Sequence, residues 1–216
     1  MLSPIRLARL AVTSVRLVRD HERLDLVFDM VDAISDQDMQ DQMNEALSAH
    51  PRGAAAMQDR PVLGELDLEV LAALPQGSLG RAFADFASEH GIEPKVLTDE
   101  AKNREQYAAV HLYETHDLWH VATGSDTDIL GELRLQAFYL AQHPWEKLAP
   151  VLLAIALLKT ALKPGEFVEP NPTWRAFEAM VDGWNMGRRA EPLFGIRWAE
   201  RWEQPLSEFQ AEFGLA

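Results

Sequence analysis

Cysteine is absent from the 216 residues. That excludes a disulfide framework and any thiolate metal site, so an ion in this chain must be held by His, Asp, Glu or backbone oxygen. Positive charge is scarce: 20 Lys and Arg stand against 34 Asp and Glu, a net charge of −14 with a pI of 4.9. Affinity for nucleic acid is built mainly from cations on phosphates, so this balance argues against a nucleic-acid partner. Long apolar runs are missing too. The most apolar stretch, Leu148 to Leu158, is well short of the roughly 20 residues needed to cross a bilayer and reads as a buried or interfacial helix. Few alternating strand patterns occur, and there is no repeat, low-complexity tract or Gly-rich phosphate loop. No Ser with a plausible local base supports acyl chemistry.

What is present is helical periodicity over a chain of single-domain length, 47% hydrophobic and able to bury a sizeable core. The expectation is an all-α fold, one multi-helix domain over residues 1–216. Leu7, Leu10, Ala11, Val15 and Val18 form the apolar face of a first helix, with Arg6, Arg9 and Arg16 opposite. This reads as an ordinary surface helix, with contact to anionic lipid headgroups as the alternative. A second helix follows through Leu24 to Ile34, and a third runs from Ser35 until Pro51 and Gly53 end it. Residues 51–64 lack periodicity, contain two prolines and read as a loop. A short helix over residues 66–74 and one after Ser78, ended by Gly91, form a helical hairpin. After Pro94, with Thr98 and Asp99 as cap candidates, one helix runs from Arg104 to Gly124, and Ser125 or Asp126 caps the next, which reaches Pro144. Further helices cover residues 148–162 and 173–187, and an aromatic tail from Pro192 packs back on the core.

The stretch HDLWHVATGSDTDILGE, residues 116–132, carries the chemistry. His116 and His120, four apart, share a helix face and can present two imidazoles to one ion. Asp117 lies about 100° round the helix, where it can bind from the flank or orient a ligating imidazole. The break at residues 124–126 lets Glu132 on the next helix face back as a further ligand. Two nitrogens and one or two carboxylates, with positions left for water or substrate, suit zinc and also non-haem ferrous iron. The alternative is a charged turn with hydrogen-bonded histidines. The remaining histidines, His21, His50, His90, His111 and His143, read as capping or surface groups, and Arg134, Arg188 and Arg189 as solvated surface residues, with charge for an aromatic acid or a lipid headgroup as the alternative.

The pattern H-D-x-x-H, eleven residues, then E resembles the signature of the coenzyme Q biosynthesis protein 4 family. His116, Asp117, His120 and Glu132 match each fixed position. LPQGSLGRAFADFASEHGIEP and GRRAEPLFGIRWAERWEQPLSEFQAEFG look like the family's segments before and after it, so the resemblance covers the chain from about residue 20 onward. It implies an all-helical protein of ubiquinone biosynthesis, with a helix-turn-helix site where the four motif residues bind a divalent ion, usually zinc. It further implies peripheral membrane association and homodimers. On this resemblance the basic start is a first helix rather than a presequence, and the chain a bacterial member, cytoplasmic and peripheral on the inner membrane.

Two activities follow from the resemblance. One is a metal-dependent oxidative decarboxylase, a lyase replacing the C1 carboxyl of a polyprenylated 4-hydroxybenzoate-type precursor by hydroxyl. The other is a non-catalytic lipid-binding scaffold for other ubiquinone biosynthesis enzymes. The helix around residues 148–158 and the side chains of Trp174, Phe177, Val181 and Trp184 are candidates for the walls of a prenyl channel, or for simple core packing. A phosphohydrolase reading is disfavoured because distant His and Asp clusters are missing.

Overall fold

The computed structural model describes residues 12, 13, 16, 37–94, 104–143, 150, 151, 153–155, 157, 158 and 172–216. The expected helix over residues 24–34, most of the first helix, and the caps Ser35, Thr98 and Asp99 lie outside these. Among the described residues the fold is all-α and has no named strand. Its helices are α1 (Gln37–Ser48), α2 (Pro51–Asp59), α3 (Leu68–Ala72), α4 (Leu79–His90), α5 (Arg104–Glu114), α6 (His116–Thr123), α7 (Ile129–Gln142), α8 (Pro172–Arg189), a 3-10 turn at Trp198–Glu200, and α9 (Leu206–Phe213). No helix among the described residues is long and apolar enough to cross a membrane.

Local chemistry accounts for most boundaries. Asp67 caps α3 by accepting from the Glu69 and Val70 amides, Ser78 caps α4 through Arg81, and Gly91 and Gly124 end α4 and α6 in the left-handed conformation. Three expectations need correction. Residues 51–59 form α2, not a loop: Pro51 sits in the first turn, the His50 ring accepts from the Arg52 amide, and Gly53, Ala56 and Met57 make a buried face. The alanines hid that face, since they mark neither side of a helix. The long helix through residues 104–123 is interrupted at Thr115, whose hydroxyl donates to the His111 carbonyl at 2.7 Å, the kind of back-bonding that disturbs a helix. And α7 is capped by Asp128, which accepts from the Gly131 amide at 2.7 Å, rather than by Ser125 or Asp126.

The main core joins α4, α6 and α7 to the tail: Phe83, Leu118, Trp119, Ala122, Leu135 and Phe138 pack with Trp198, Phe209 and Phe213. The tail is also stitched by backbone. The Leu79 and Gly80 amides donate to the Gln204 and Trp202 carbonyls, Leu206 donates to Gly77, and the Gln210 side chain donates to the Ala122 carbonyl at the end of α6. The most extensive helix pair is α7 with α8. There a Cβ on Gly183 would lie 1.9 Å from the Arg134 carbonyl oxygen, and one on Gly187 2.7 Å from that of Phe138, so only glycine permits this approach.

The outer side of α8 runs against expectation. Trp174, Phe177, Val181 and Trp184 are 39–63% exposed, so they are neither core nor enclosed channel walls. Conversely, His111 and His143 are buried rather than surface groups. His111 stacks on Tyr107, meets Phe194 edge-on, and neither ring nitrogen has a hydrogen-bond partner among the described residues. Burial lowers the pKa of each histidine to about 4. With a pKa of about 6.5 when unfolded, each binds its proton more tightly in the unfolded chain, so stability is full above that value and is lost as pH falls toward about 4. The fully expressed effect is roughly 3 kcal/mol per histidine. Replacing His111 with Phe should therefore flatten the fall in melting temperature between about pH 7 and about pH 5. Identical slopes for wild type and His111→Phe would contradict this account.

Candidate metal centre

The site is built across the junction of α6 and α7. His116 opens α6 and His120 lies one turn later, while Glu132 sits in the first turn of α7. Gly124 reverses the chain between them, so the two helices bring their ends together. His120 Nε2 is 3.2 Å from His116 Nε2 and 3.2 Å from Glu132 Oε1, and one donor atom from each of the three residues lies within 4.8 Å of the others. Asp117, expected beside them, is half-buried and outside this close group.

The second nitrogen of His120 decides what the first can do. Its Nδ1 lies 3.1 Å from the Ser125 carbonyl oxygen, which only accepts, so Nδ1 carries the hydrogen. In the neutral ring Nε2 is then a lone pair, and it faces a carboxylate oxygen and another imidazole nitrogen. Such an arrangement calls for a cation. Bonds of about 2.0–2.1 Å to a tetrahedral zinc place neighbouring ligand atoms about 3.3 Å apart, and two edges of the triangle are already at 3.2 Å. The residues therefore fit a divalent ion, which this donor chemistry does not identify by element.

Electrostatics agree. Burial alone would lower His120, but the hydrogen bond and charge of Glu132, the Ser125 carbonyl and the charge of Asp117 outweigh it and hold its pKa above the ordinary value. Burial would raise Glu132, yet the His120 hydrogen bond, the charges of both histidines and a bond from Gln136 lower it. His116 is lowered by burial and by His120, against the pull of Glu132 and Asp117. His120 is 1% exposed, whereas the Glu132 side chain is 41% exposed and opens the site on one side.

Aromatic rings flank both histidines. Phe86 stacks on His120 at 5.8 Å, Tyr139 stacks on His116 at 5.9 Å, and Trp119 lies flat against Tyr139 at 4.2 Å. The residue sequence reasoning missed is Arg134. Its guanidinium is largely buried and donates to the Thr123 carbonyl at 2.7 Å and the Ser125 hydroxyl at 2.9 Å, while pairing with Asp182. Its place two residues after Glu132 put it on the turn facing the α6 end, but nothing local distinguished it from a solvated cation. Arg188 and Arg189 are exposed, as expected.

Comparison with known proteins follows the same lines. The profile of the family described as "Coenzyme Q (ubiquinone) biosynthesis protein Coq4" matches residues 3–216. The chain is 29% identical over 179 residues to the mitochondrial ubiquinone biosynthesis protein COQ4 homolog of Rattus norvegicus, covering 81% of this chain and 64% of the rat protein. It thus spans less than two thirds of the rat relative's length. The corresponding Danio rerio protein is 28% identical over 219 residues, 99% of this chain and 78% of its own length. A Nostoc punctiforme crystal structure, provisionally described as a ubiquinone biosynthesis protein, is similar with a TM-score of 0.78 and 25% identity, covering 96% of this chain and 97% of that one.

If an ion and a proton compete for the three donors, affinity for Zn(II) or Co(II) will fall by about tenfold per unit as pH drops below the raised pKa of His120. Calorimetric titration in buffers of different ionisation enthalpy should count the released proton. His120→Ala should abolish both the binding and the proton release; binding unaffected by this change would place the ion elsewhere.

Proposed function

The chain belongs to the coenzyme Q (ubiquinone) biosynthesis protein Coq4 family, and from that premise we propose that it is a metal-dependent oxidative decarboxylase of the ubiquinone pathway. The substrate class is a polyprenylated 4-hydroxybenzoate-type precursor whose C1 carboxyl is replaced by hydroxyl: the C1–carboxyl bond breaks with loss of carbon dioxide, one atom of molecular oxygen becomes the hydroxyl, and an external two-electron donor reduces the other to water. One observation carries the reading: two imidazole nitrogens and a carboxylate oxygen converge, with His120 Nε2 3.2 Å from each of the other two and the Glu132 side chain 41% exposed.

His116, His120 and Glu132 are the proposed ligands, and Asp117, whose charge acts on both histidines, completes the set from the flank. A divalent ion held there, zinc or iron, would supply Lewis acidity toward a carboxylate or an oxygen. The protein's own contributions are distinct. The Ser125 carbonyl keeps the hydrogen of His120 on Nδ1 and its lone pair directed at the site. Phe86 and Tyr139 hold the imidazole planes. Glu132 is the partly exposed member of the group, so an aromatic acid would approach from its side.

The apolar row on α8 supports lipid contact. Trp174, Phe177, Val181 and Trp184 are spaced for one helix face and stand out from the fold together. This suits a protein working peripherally on a membrane that holds its polyprenyl substrate and the other enzymes of the pathway; homodimerisation is proposed alongside. The same row favours the second reading, a non-catalytic lipid-binding scaffold in which the ion clamps α6 to α7.

Turnover separates the two. With the prenylated acid, oxygen, a two-electron reductant and added metal, wild type should form the C1-hydroxylated product, and folded Glu132→Ala should form it at least about a hundredfold more slowly. Equal rates would reject the catalytic reading; no product from wild type, with partner binding lost in Glu132→Ala, would favour the scaffold. Independently, Trp174→Glu combined with Phe177→Glu should reduce co-sedimentation with phospholipid vesicles by about tenfold or more. Undiminished co-sedimentation would remove α8 from the lipid surface.

A further inference from the structure

Arg134 takes no part in the His116, His120 and Glu132 group, yet its guanidinium bonds to the end of α6, to the turn after it and to α8. It projects from α7 two residues after Glu132 and donates to the Thr123 carbonyl at the end of α6 and to the Ser125 hydroxyl in the turn. The Ser125 hydroxyl is itself 2.9 Å from that of Thr123, and the Ser125 carbonyl faces His120 Nδ1 at 3.1 Å. On its other side the guanidinium pairs with Asp182 of α8, next to Gly183, the point of closest backbone approach to Arg134 itself.

We propose that Arg134 is a positioning residue that sets the tautomer and aim of His120, and that through Asp182 it ties the metal centre to α8. The physical reason lies in the Ser125 carbonyl. A carbonyl can hold an imidazole N–H only if it stays in place; the Gly124 and Ser125 amides bond back to the His120 and Val121 carbonyls, which leaves the side chain and the carbonyl side of Ser125 still to be fixed. The planar, permanently charged guanidinium supplies that fixing, with separate N–H donors to two points of the turn and to a carboxylate on the neighbouring helix. Lysine, a single point charge, cannot make the same fork. With the turn released, Nδ1 loses its acceptor, the proton redistributes between the two nitrogens, and the fraction of His120 offering a lone pair at Nε2 falls. Displacement of α8 would act on the same linkage, since Gly183 packs directly on the Arg134 backbone.

This inference rests on the proposed ion site, so the test has two readouts. The first is Co(II) affinity and the visible spectrum of the bound ion; the second is the imidazole nitrogen chemical shifts of His120 in the metal-free protein at alkaline pH, where the ring is neutral and one nitrogen carries the hydrogen. Arg134→Gln is expected to weaken Co(II) binding by about tenfold or more, and to shift the His120 nitrogens from the Nδ1–H pattern toward a mixture. Arg134→Lys should rescue neither fully, and Asp182→Asn should give a smaller loss of about threefold. Arg188→Gln, an exposed cation on the same helix, should change nothing. If Arg134→Gln does not fold, Ser125→Ala, which removes only one anchor, should still lower affinity and perturb the tautomer. Unchanged nitrogen shifts and affinity in the folded variants would overturn the positioning role. Failure of wild type to bind Co(II) would instead remove the ion from the site, and the nitrogen shifts would then test the role of Arg134 by themselves.

Discussion

Lone pairs do not share a small volume without a positive charge between them, and the α6–α7 junction is arranged around that constraint. His120 Nδ1 is committed to a backbone carbonyl, so Nε2 must point at His116 and Glu132. Each neighbouring feature limits the freedom of that ring. Phe86 holds its plane, Gly124 closes the helix that carries it, and Asp128 starts the helix that brings Glu132 alongside. The strongly acidic chain provides the surrounding negative potential.

The packing beneath the junction is as specific as the site. Glycines at positions 183 and 187 let α8 lie backbone to backbone on α7 rather than separated from it by side chains. One side of α8 is thereby spent on close approach, through Ala176, Met186 and the glycines, and the other carries aromatic rings into the open. The same helix thus joins an apolar outer surface to the residues that hold the α6–α7 turn.

Much of this was legible in the sequence where a residue acts alone. Ser78, Gly91 and Gly124 mark helix ends through their own capping chemistry, and the all-α class follows from helical spacing throughout. The i, i+4 pair His116 and His120 and the turn before Glu132 needed only helix geometry. What could not be read were features decided by partners distant in the chain. Alanine-rich α2 shows its buried face only against Met43, Leu47, Tyr107 and Phe194. Periodicity in α8 revealed a stripe of aromatic residues but not which side faced inward, because glycine at a helix contact leaves no hydrophobic mark. Burial of His111 depends on Tyr107 and Phe194, and Arg134 shows its role only once Thr123, Ser125 and Asp182 surround it.

The stitched tail bears on how the protein is made. Residues 202–213 cover the start of α4 and reach the end of α6, yet they emerge from the ribosome long after His116, His120 and Glu132. Until they arrive, the helix bearing both histidines has one bare apolar side, so its ligands cannot be held at their final spacing during synthesis. The final spacing of His116, His120 and Glu132 is therefore reached late in the making of the chain, once α9 has closed over the end of α6.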